Sequence, residues 1–362
     1  MALIGEAVRH NSHQDKRGAM RLLWVGKNTS EGGGEAVFDR KIIEALRSEN
    51  VVDCLQLESV GAIKKIANVV SGFPHQRINY INAENVKAIK SAARRASYDA
   101  IICSWESLDI LAWKANIFPI MILHNVTSDM LRRVFPKNVA GRLAAMQVAL
   151  WERFLYRSTR FRAFAVLSER DREVVLQRAP QAKVVVLNPG APGHRAFDLS
   201  GPLLPEIVIS GTYDWYPKRR DLARFMAEFI ESKSTLRLIK RDDFRLTPSS
   251  VGTSPTGVRF GVVTDRFEAG FKLKILEYVA DGCIVISYSE FPAELQRISD
   301  ASLFLRRVGS MKEIMAVYSE FVKMENSDLL RRFNRFRQLC LDAFTWQRSS
   351  SILSQAIAEE KY

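Results

Sequence analysis

The chain has 362 residues, with 53 Lys and Arg against 40 Asp and Glu, a formal charge of +13. Apolar residues make up 47% and charged residues 26%, a globular balance that excludes a wholly disordered or fibrous chain. No apolar run reaches the roughly 18 residues of a membrane-spanning helix, and the length suits two domains of usual size.

Residues 1–19 lack the apolar core of a secretory signal and read as a polar, mobile tail. MRLLWVG (20–26) is the first predicted strand, followed by a loop carrying Gly32, Gly33 and Gly34 and a helix from about Ala36 to Ser48. VVDCLQL (51–57), DAIICS (99–104), PIMILH (119–124), AFAVLS (163–168) and KVVVLN (183–188) are further strands, each separated from the next by enough chain for a helix. Such β-branched, nearly continuous apolar runs indicate a parallel sheet covered on both faces. A stretch rich in Gly and Pro (188–205) interrupts the alternation. It restarts with EIVISG (206–211), a helix opening near Pro217, and the strands TLRLIK (235–240), VRFGVV (258–263) and CIVISY (283–288). Helical patterns then dominate. The expected fold is α/β: two doubly wound Rossmann-like domains, 20–195 and 196–345, facing a cleft, with ligands outside the carboxyl ends of the strands.

Cys54, Cys103, Cys283 and Cys340 are scattered, three of them within apolar segments. That suits a reduced, cytoplasmic protein better than a disulfide framework. The five histidines include no pair at ligand spacing, so no metal is expected.

The charge is uneven. Residues 1–196 hold 29 basic and 18 acidic side chains, and the remainder 24 and 22. Arg132, Arg133, Lys137, Arg142, Arg153, Arg157, Arg160 and Arg162 face one acid, Glu152, in residues 131–162. Leu143, Met146, Leu150, Trp151, Phe154 and Leu155 share a helical face there, and for the helix alone a core-facing role is preferred. A basic amphipathic helix can also lie on an anionic membrane surface. No recognition motif or interleaved aromatic run accompanies the charge, so nucleic acid is not expected as a partner.

The segment GFKLKILEYVADGCIVIS (270–287) carries the most chemistry. Gly270 permits close backbone approach, a helix is predicted over about 271–281, Gly282 sits where a left-handed cap belongs, and a buried strand follows. Lys272, Lys274 and Glu277 lie near the helix start, where unpaired N–H groups favour an anion, so the lysines suit a diphosphate and the carboxylate a ribose.

This segment resembles the donor-binding signature of GT-B glycosyltransferases of the family 4 type, with Gly270, Leu273, Lys274, Leu276, Glu277, Ala280 and Gly282 matching and Lys272 standing in place of Arg. The resemblance implies that Glu277 binds the nucleotide ribose and that Lys272 and Lys274 face the donor diphosphate. ISGTYDWYPKRRDLARFM (209–226) is similar to the family's entry to its second domain, placing Gly211, Lys218 and Arg219 near the donor. FTW (344–346) and the last helix (346–362) look like the family's C-terminal helix, which crosses back onto the first domain. The Gly32–Gly34 loop matches an acceptor-side loop, and His124 in LHNVTSD (123–129) stands where related enzymes place a His beside the transferred sugar; a satisfied structural His is the plain alternative. Ser168 in VLSERD (166–171) reads as a helix cap closed by Asp171. Where many members have a second Glu, this chain has Ala269, with Glu268 beside it as the substitute. The Asp242–Asp243 pair is read as turn acids rather than a metal site.

The resemblance thus implies a hexosyltransferase of the bacterial surface-polysaccharide class, retaining and metal-free. It would move a sugar from a nucleoside diphosphate to a saccharide or lipid-linked acceptor, in the cytoplasm or at the inner face of the membrane. A nucleotide-sugar 2-epimerase of the same architecture and a non-catalytic binding module are the alternatives.

Overall fold

The computed structural model describes residues 18–27, 33–192, 201–241 and 257–359. The tail before Gly18, Gly32 and the Asp242–Asp243 pair lie outside the described residues. The chain divides into two compact units: residues 1–31, 35–188 and 346–362 form one, and residues 32–34 and 189–345 the other.

The first unit is a six-stranded, all-parallel sheet. In chain order it contains β1 (Arg21–Lys27), α1 (Gly34–Leu46), β2 (Val51–Leu57), α2 (Ala62–Val70), α3 (Ala83–Arg95), β3 (Ala100–Ser104), α4 (Asp109–Ala115), β4 (Ile120–Leu123), α5 (Thr127–Val134), α6 (Val139–Tyr156), β5 (Ala163–Val166), α7 (Glu169–Arg178) and β6 (Val184–Val186). The strand order β2-β1-β3-β4-β5-β6 reverses direction between β1 and β3, so a crevice opens at their carboxyl ends. Ser168 caps α7 as the sequence predicts, accepting the Asp171 N–H at 3.2 Å and donating to its carboxylate at 2.7 Å.

The second unit is a five-stranded parallel sheet ordered β11-β10-β9-β7-β8. It comprises β7 (Glu206–Ser210), α8 (Tyr216–Glu231), β8 (Arg237–Arg241), β9 (Arg259–Val263), α9 (Leu273–Ala280), β10 (Cys283–Ser287), α10 (Ala293–Gln296), α11 (Ala301–Phe304), β11 (Leu305–Arg307), α12 (Met311–Val322) and α13 (Asn326–Ala343). Its reversal falls between β7 and β9. The last helix, α14 (Trp346–Ala358), packs in the first unit: Arg162 donates to the Ile357 carbonyl at 3.0 Å, and Trp346 meets Phe38 edge to face at 5.5 Å.

One expectation fails. Of the six residues read as one core-facing stripe of α6, only Leu155 is buried and Trp151 partly so; Leu143, Met146, Leu150 and Phe154 stand exposed, while Ala145, Val148, Glu152 and Tyr156 are buried. The buried stripe won because its small residues let α6 close on α5, making a minor core of Leu131, Ala145 and Val148, and because Glu152 is neutralised inside. Arg77, 1% exposed, lies between Asp109 (3.2 Å) and Glu152 (3.3 Å) and donates to the Thr127 hydroxyl at 3.0 Å, while Arg178 pairs with Glu152 from α7. Replacing Arg77 with Met should lower the stability of the first unit by about 3–5 kcal/mol, because it leaves buried carboxylates short of a cation. Denaturant unfolding of the full chain reads this, and a change under about 1 kcal/mol, usual for surface sites, would contradict it.

Candidate functional site

The second unit's reversal point is bounded by the ends of β7 and β9 and by the start of α9. Gly211 follows β7 with φ 116° and Gly270 precedes α9 with φ 50°, both backbone states that glycine adopts without strain. Gly282, φ 75°, is the left-handed residue just past α9, as the sequence predicts. The helix itself begins at Leu273 rather than near Phe271, since Lys272 keeps an extended backbone as its N-cap. Tyr278 fixes α9 on the sheet. Its hydroxyl accepts the Ser210 N–H at 2.7 Å and donates to the Val262 carbonyl at 3.2 Å, while its ring fills the space over Gly261, where an added Cβ would come within 2.4 Å.

The loop from β9 to α9 is held from below. Asp221 on α8 accepts the Arg266 N–H at 2.8 Å, and Glu228 binds the Arg266 guanidinium at 2.6 Å, which in turn lies 4.1 Å over the Tyr288 ring. This rigid loop presents Asp265, buried and 2.9 Å from the Lys274 ammonium. Lys272 is half-buried and donates to the Phe267 carbonyl at 2.8 Å and to the Ser289 hydroxyl, leaving one of its three donors for a ligand.

The charges are coupled. Burial opposes ionisation of Asp265, yet Lys274, Lys272 and Lys218 pull its carboxyl down to about 2. Burial likewise disfavours the Lys274 ammonium, but Asp265, Tyr213 and Glu277 hold its pKa above the ordinary lysine value. Lys272 goes the other way: burial, with repulsion from Lys274 and Lys218, outweighs Asp265 and Glu268 and drives it down to about 8. Asp265 Oδ1 and Thr264 Oγ1, both buried, have no hydrogen-bond partner among the described residues. A buried acceptor and hydroxyl left open beside two lysines suit a ligand that carries hydroxyls as well as anionic charge.

The first unit has its own polar cluster, at the reversal between β1 and β3. Asp39, fully buried on α1, accepts from Ser104 at 2.5 Å and from the Trp105 indole at 2.8 Å. His124, just past β4, has Nε2 3.1 Å from Ser104 Oγ and 3.5 Å from Asp39, with its ring between Phe38 and Trp105 at 5.1 and 5.2 Å. Burial disfavours the imidazolium, but the hydrogen bond and attraction of Asp39, helped by Glu35 and Glu106, hold the His124 pKa above its ordinary value. Trp105 has φ 97°, a conformation costing about 1–3 kcal/mol in a non-glycine residue and found mainly at functional sites. It persists because Trp105 N–H bonds to the Ile122 carbonyl at 3.0 Å and the Lys27 ammonium sits 3.1 Å over its ring. Burial lowers the Lys27 pKa, against the raising effect of Glu35, Glu106 and Asp39.

Of the residues singled out from sequence, Gly211, Lys218, Glu268, Gly270, Lys272, Lys274 and Glu277 all belong to the second unit; Lys218, Lys272 and Lys274 attract Asp265, Glu268 attracts Lys272, and Glu277 attracts Lys274. Arg219 is exposed on α8. His124 belongs to the first unit, whereas Gly33, with φ 145°, and Gly34, which opens α1, group with the second. Asp265, Ser289, Lys27, Asp39 and Glu106 were not singled out. Lys27 ends β1, Asp39 lies within α1, and Glu106, Asp265 and Ser289 stand two residues past β3, β9 and β10; only the strand order reveals that these positions flank a reversal. Among the described residues no group of three or more His, Cys, Asp or Glu is placed to hold a metal ion.

No protein-family profile and no curated protein sequence matches the chain. Solved structures match over nearly its whole length. The chain is similar to the sucrose-phosphate synthase of Thermosynechococcus elongatus, with a TM-score of 0.65 and 13% identity over 94% of this chain and 99% of that one. It is similar to TarM, at 0.61 and 9% over 95% and 100%. It is also similar to the UDP-forming α,α-trehalose-phosphate synthase of Burkholderia xenovorans solved with glucose-6-phosphate, at 0.59 and 9% over 93% and 100%. At such identities the likeness is one of fold, and the α/β class of paired parallel sheets expected from the sequence is the one found.

Proposed function

We propose that the chain transfers a sugar from a nucleoside diphosphate donor to a saccharide acceptor. The observation that carries this reading is the Lys272–Lys274–Asp265 cluster at the start of α9, set at the second sheet's reversal point. Two of the similar structures are named as sugar-phosphate synthases, one of them UDP-forming, which supports the same reaction class.

In this reading the diphosphate lies against Lys272, Lys274 and the first N–H groups of α9, and Glu277 takes the ribose hydroxyls. An acceptor oxygen bonds to the anomeric carbon as the bond to the diphosphate oxygen breaks. The electron pair leaves on the nucleoside diphosphate, and the acceptor proton passes to that leaving group. Charge grows on the phosphate, where fixed cations and helix N–H groups meet it without reorganising. They supply the positive charge that a metal would otherwise bring, so the reaction is metal-free. Asp265 keeps Lys274 charged and leaves Oδ1 for a donor hydroxyl. The first unit's crevice, with Lys27, Trp105 and His124, takes the acceptor. Retention of configuration, a family 4 type, a hexose donor, a lipid-linked acceptor of surface-polysaccharide or glycolipid synthesis and a cytoplasmic location complete the proposal.

The test is incubation of the full chain with UDP, GDP, ADP and TDP sugars and with saccharide or lipid-extract acceptors, followed by mass spectrometry. Transfer predicts an acceptor heavier by one sugar residue, with one nucleoside diphosphate released. Glu277→Ala should weaken kcat/KM about ten- to a hundredfold through loss of charged hydrogen bonds. Donor isomerised without acceptor would replace transfer by epimerisation, and absence of any turnover would overturn the proposal.

A further inference from the structure

We infer that α2 and α6 together form a surface that seats the first unit on an anionic lipid bilayer. The starting point is α2, AIKKIANVV, in which no residue is buried. Ile63 is 85% exposed and Val70 82%, and with Ile66 and Val69 they line one side of the helix, so its apolar face is not spent on the core. Nor is the helix a loosely attached segment: Asn68 donates to the Ile78 and Ile81 carbonyls at 3.1 and 2.9 Å, fixing which side faces outward.

The surface continues onto α6. The Gly72 carbonyl just after α2 accepts from both Gln147 and Trp151 of α6 at 3.3 Å, and the Phe73 and Trp151 rings lie 5.5 Å apart. From there the exposed side chains Val139, Leu143, Met146, Leu150 and Phe154 run along α6 at steps of four, three, four and four residues. An open groove of about 550 Å³ lies beside Leu150 and Phe154 and is flanked by Arg153 and Arg157.

Charge selects the occupant. Lys137, Arg142, Arg153 and Arg157 are all exposed on or beside α6, and its single acid, Glu152, is turned inward onto Arg77 and Arg178. The outward face of α6 therefore combines aliphatic side chains with cations and carries no carboxylate of its own, and beside α2 the exposed Glu84 is paired with Lys64 at 3.1 Å. A second copy of the chain would bring the same cations against it, and a nucleic acid would leave Ile63, Ile66 and Val70 in water. Phosphate headgroups over acyl chains satisfy both halves of the surface at once. Among the described residues no helix is long and apolar enough to cross a membrane, so the contact is a peripheral one. This inference does not rest on the sugar-transfer reading and can be tested without any donor.

The test is flotation of the full chain with phosphatidylcholine vesicles and with vesicles containing 30% phosphatidylglycerol. Binding to the anionic vesicles at least about tenfold stronger than to neutral ones is expected, falling with salt. Ile63→Ser with Ile66→Ser, and separately Arg153→Glu with Arg157→Glu, should each reduce it at least about tenfold, since each removes one of the two attractions. All four side chains are exposed, so the thermal midpoint should hold and the fold remain intact. Failure to float with either vesicle, equal binding to both, or unchanged binding by the variants would each overturn the inference. So would self-association in sedimentation that the same variants abolish.

Discussion

Lys274→Ala should lower sugar transfer by about 10²–10³-fold, the usual loss when one fixed charge is taken from a developing anion. The same change should destabilise the second unit by about 3–5 kcal/mol, because Asp265 then keeps a buried carboxylate without its 2.9 Å partner. The two losses have separate causes and can be separated. Combining Lys274→Met with Asp265→Leu removes both charges and fills the space with apolar volume, so stability should return towards the parent value. Transfer should stay lost. A double variant that regains activity would show that Lys274 acts only as a structural partner of Asp265.

The second large effect is on the pH dependence of donor turnover. Lys272 carries a pKa of about 8 because burial, with Lys274 and Lys218 nearby, disfavours its charge. Its ammonium form, the one that attracts a diphosphate, is complete well below pH 8 and is lost as pH rises through that value. A plot of kcat/KM should therefore fall on the alkaline side with an apparent pKa near 8, since this quantity reports groups of the free enzyme. Lys272→Arg should move that limb upward, because a guanidinium stays charged, and Lys272→Ala should remove it with about a ten- to hundredfold loss. An alkaline limb unchanged in both variants would assign the titration to another group.

Much of the architecture was legible because buried parallel strands are written as short, β-branched apolar runs. Strands β1–β10 all fall on predicted segments, β1 and β8 running one residue past theirs. The eleventh, Leu305–Arg307, does not, because one Leu followed by two Arg at a sheet edge carries no such run. Periodicity found the apolar stripe of α6 but could not say which stripe the core would take. That choice was made by Arg77 and Arg178, which neutralise Glu152 from 75 and 26 residues away. For α2 the same limit was complete: an amphipathic helix reads identically whether its apolar side meets a core or nothing. In the site, the Gly270–Glu277 spacing was visible as a local pattern, whereas Asp265 acquires meaning only when β9 is seen beside β7. Lys27 and Asp39 are equally silent until β1 and β3 are known to be neighbours.

The start of α9 should bind a nucleoside diphosphate. Calorimetric titration of UDP, GDP, ADP and TDP into the full chain tests it most directly, with the Lys274→Met, Asp265→Leu double variant as comparison. One of the four should bind the parent protein, and at least about tenfold more weakly the double variant, in keeping with the loss of a charged contact. Binding of none of them, or equal binding by the two proteins, would contradict the account.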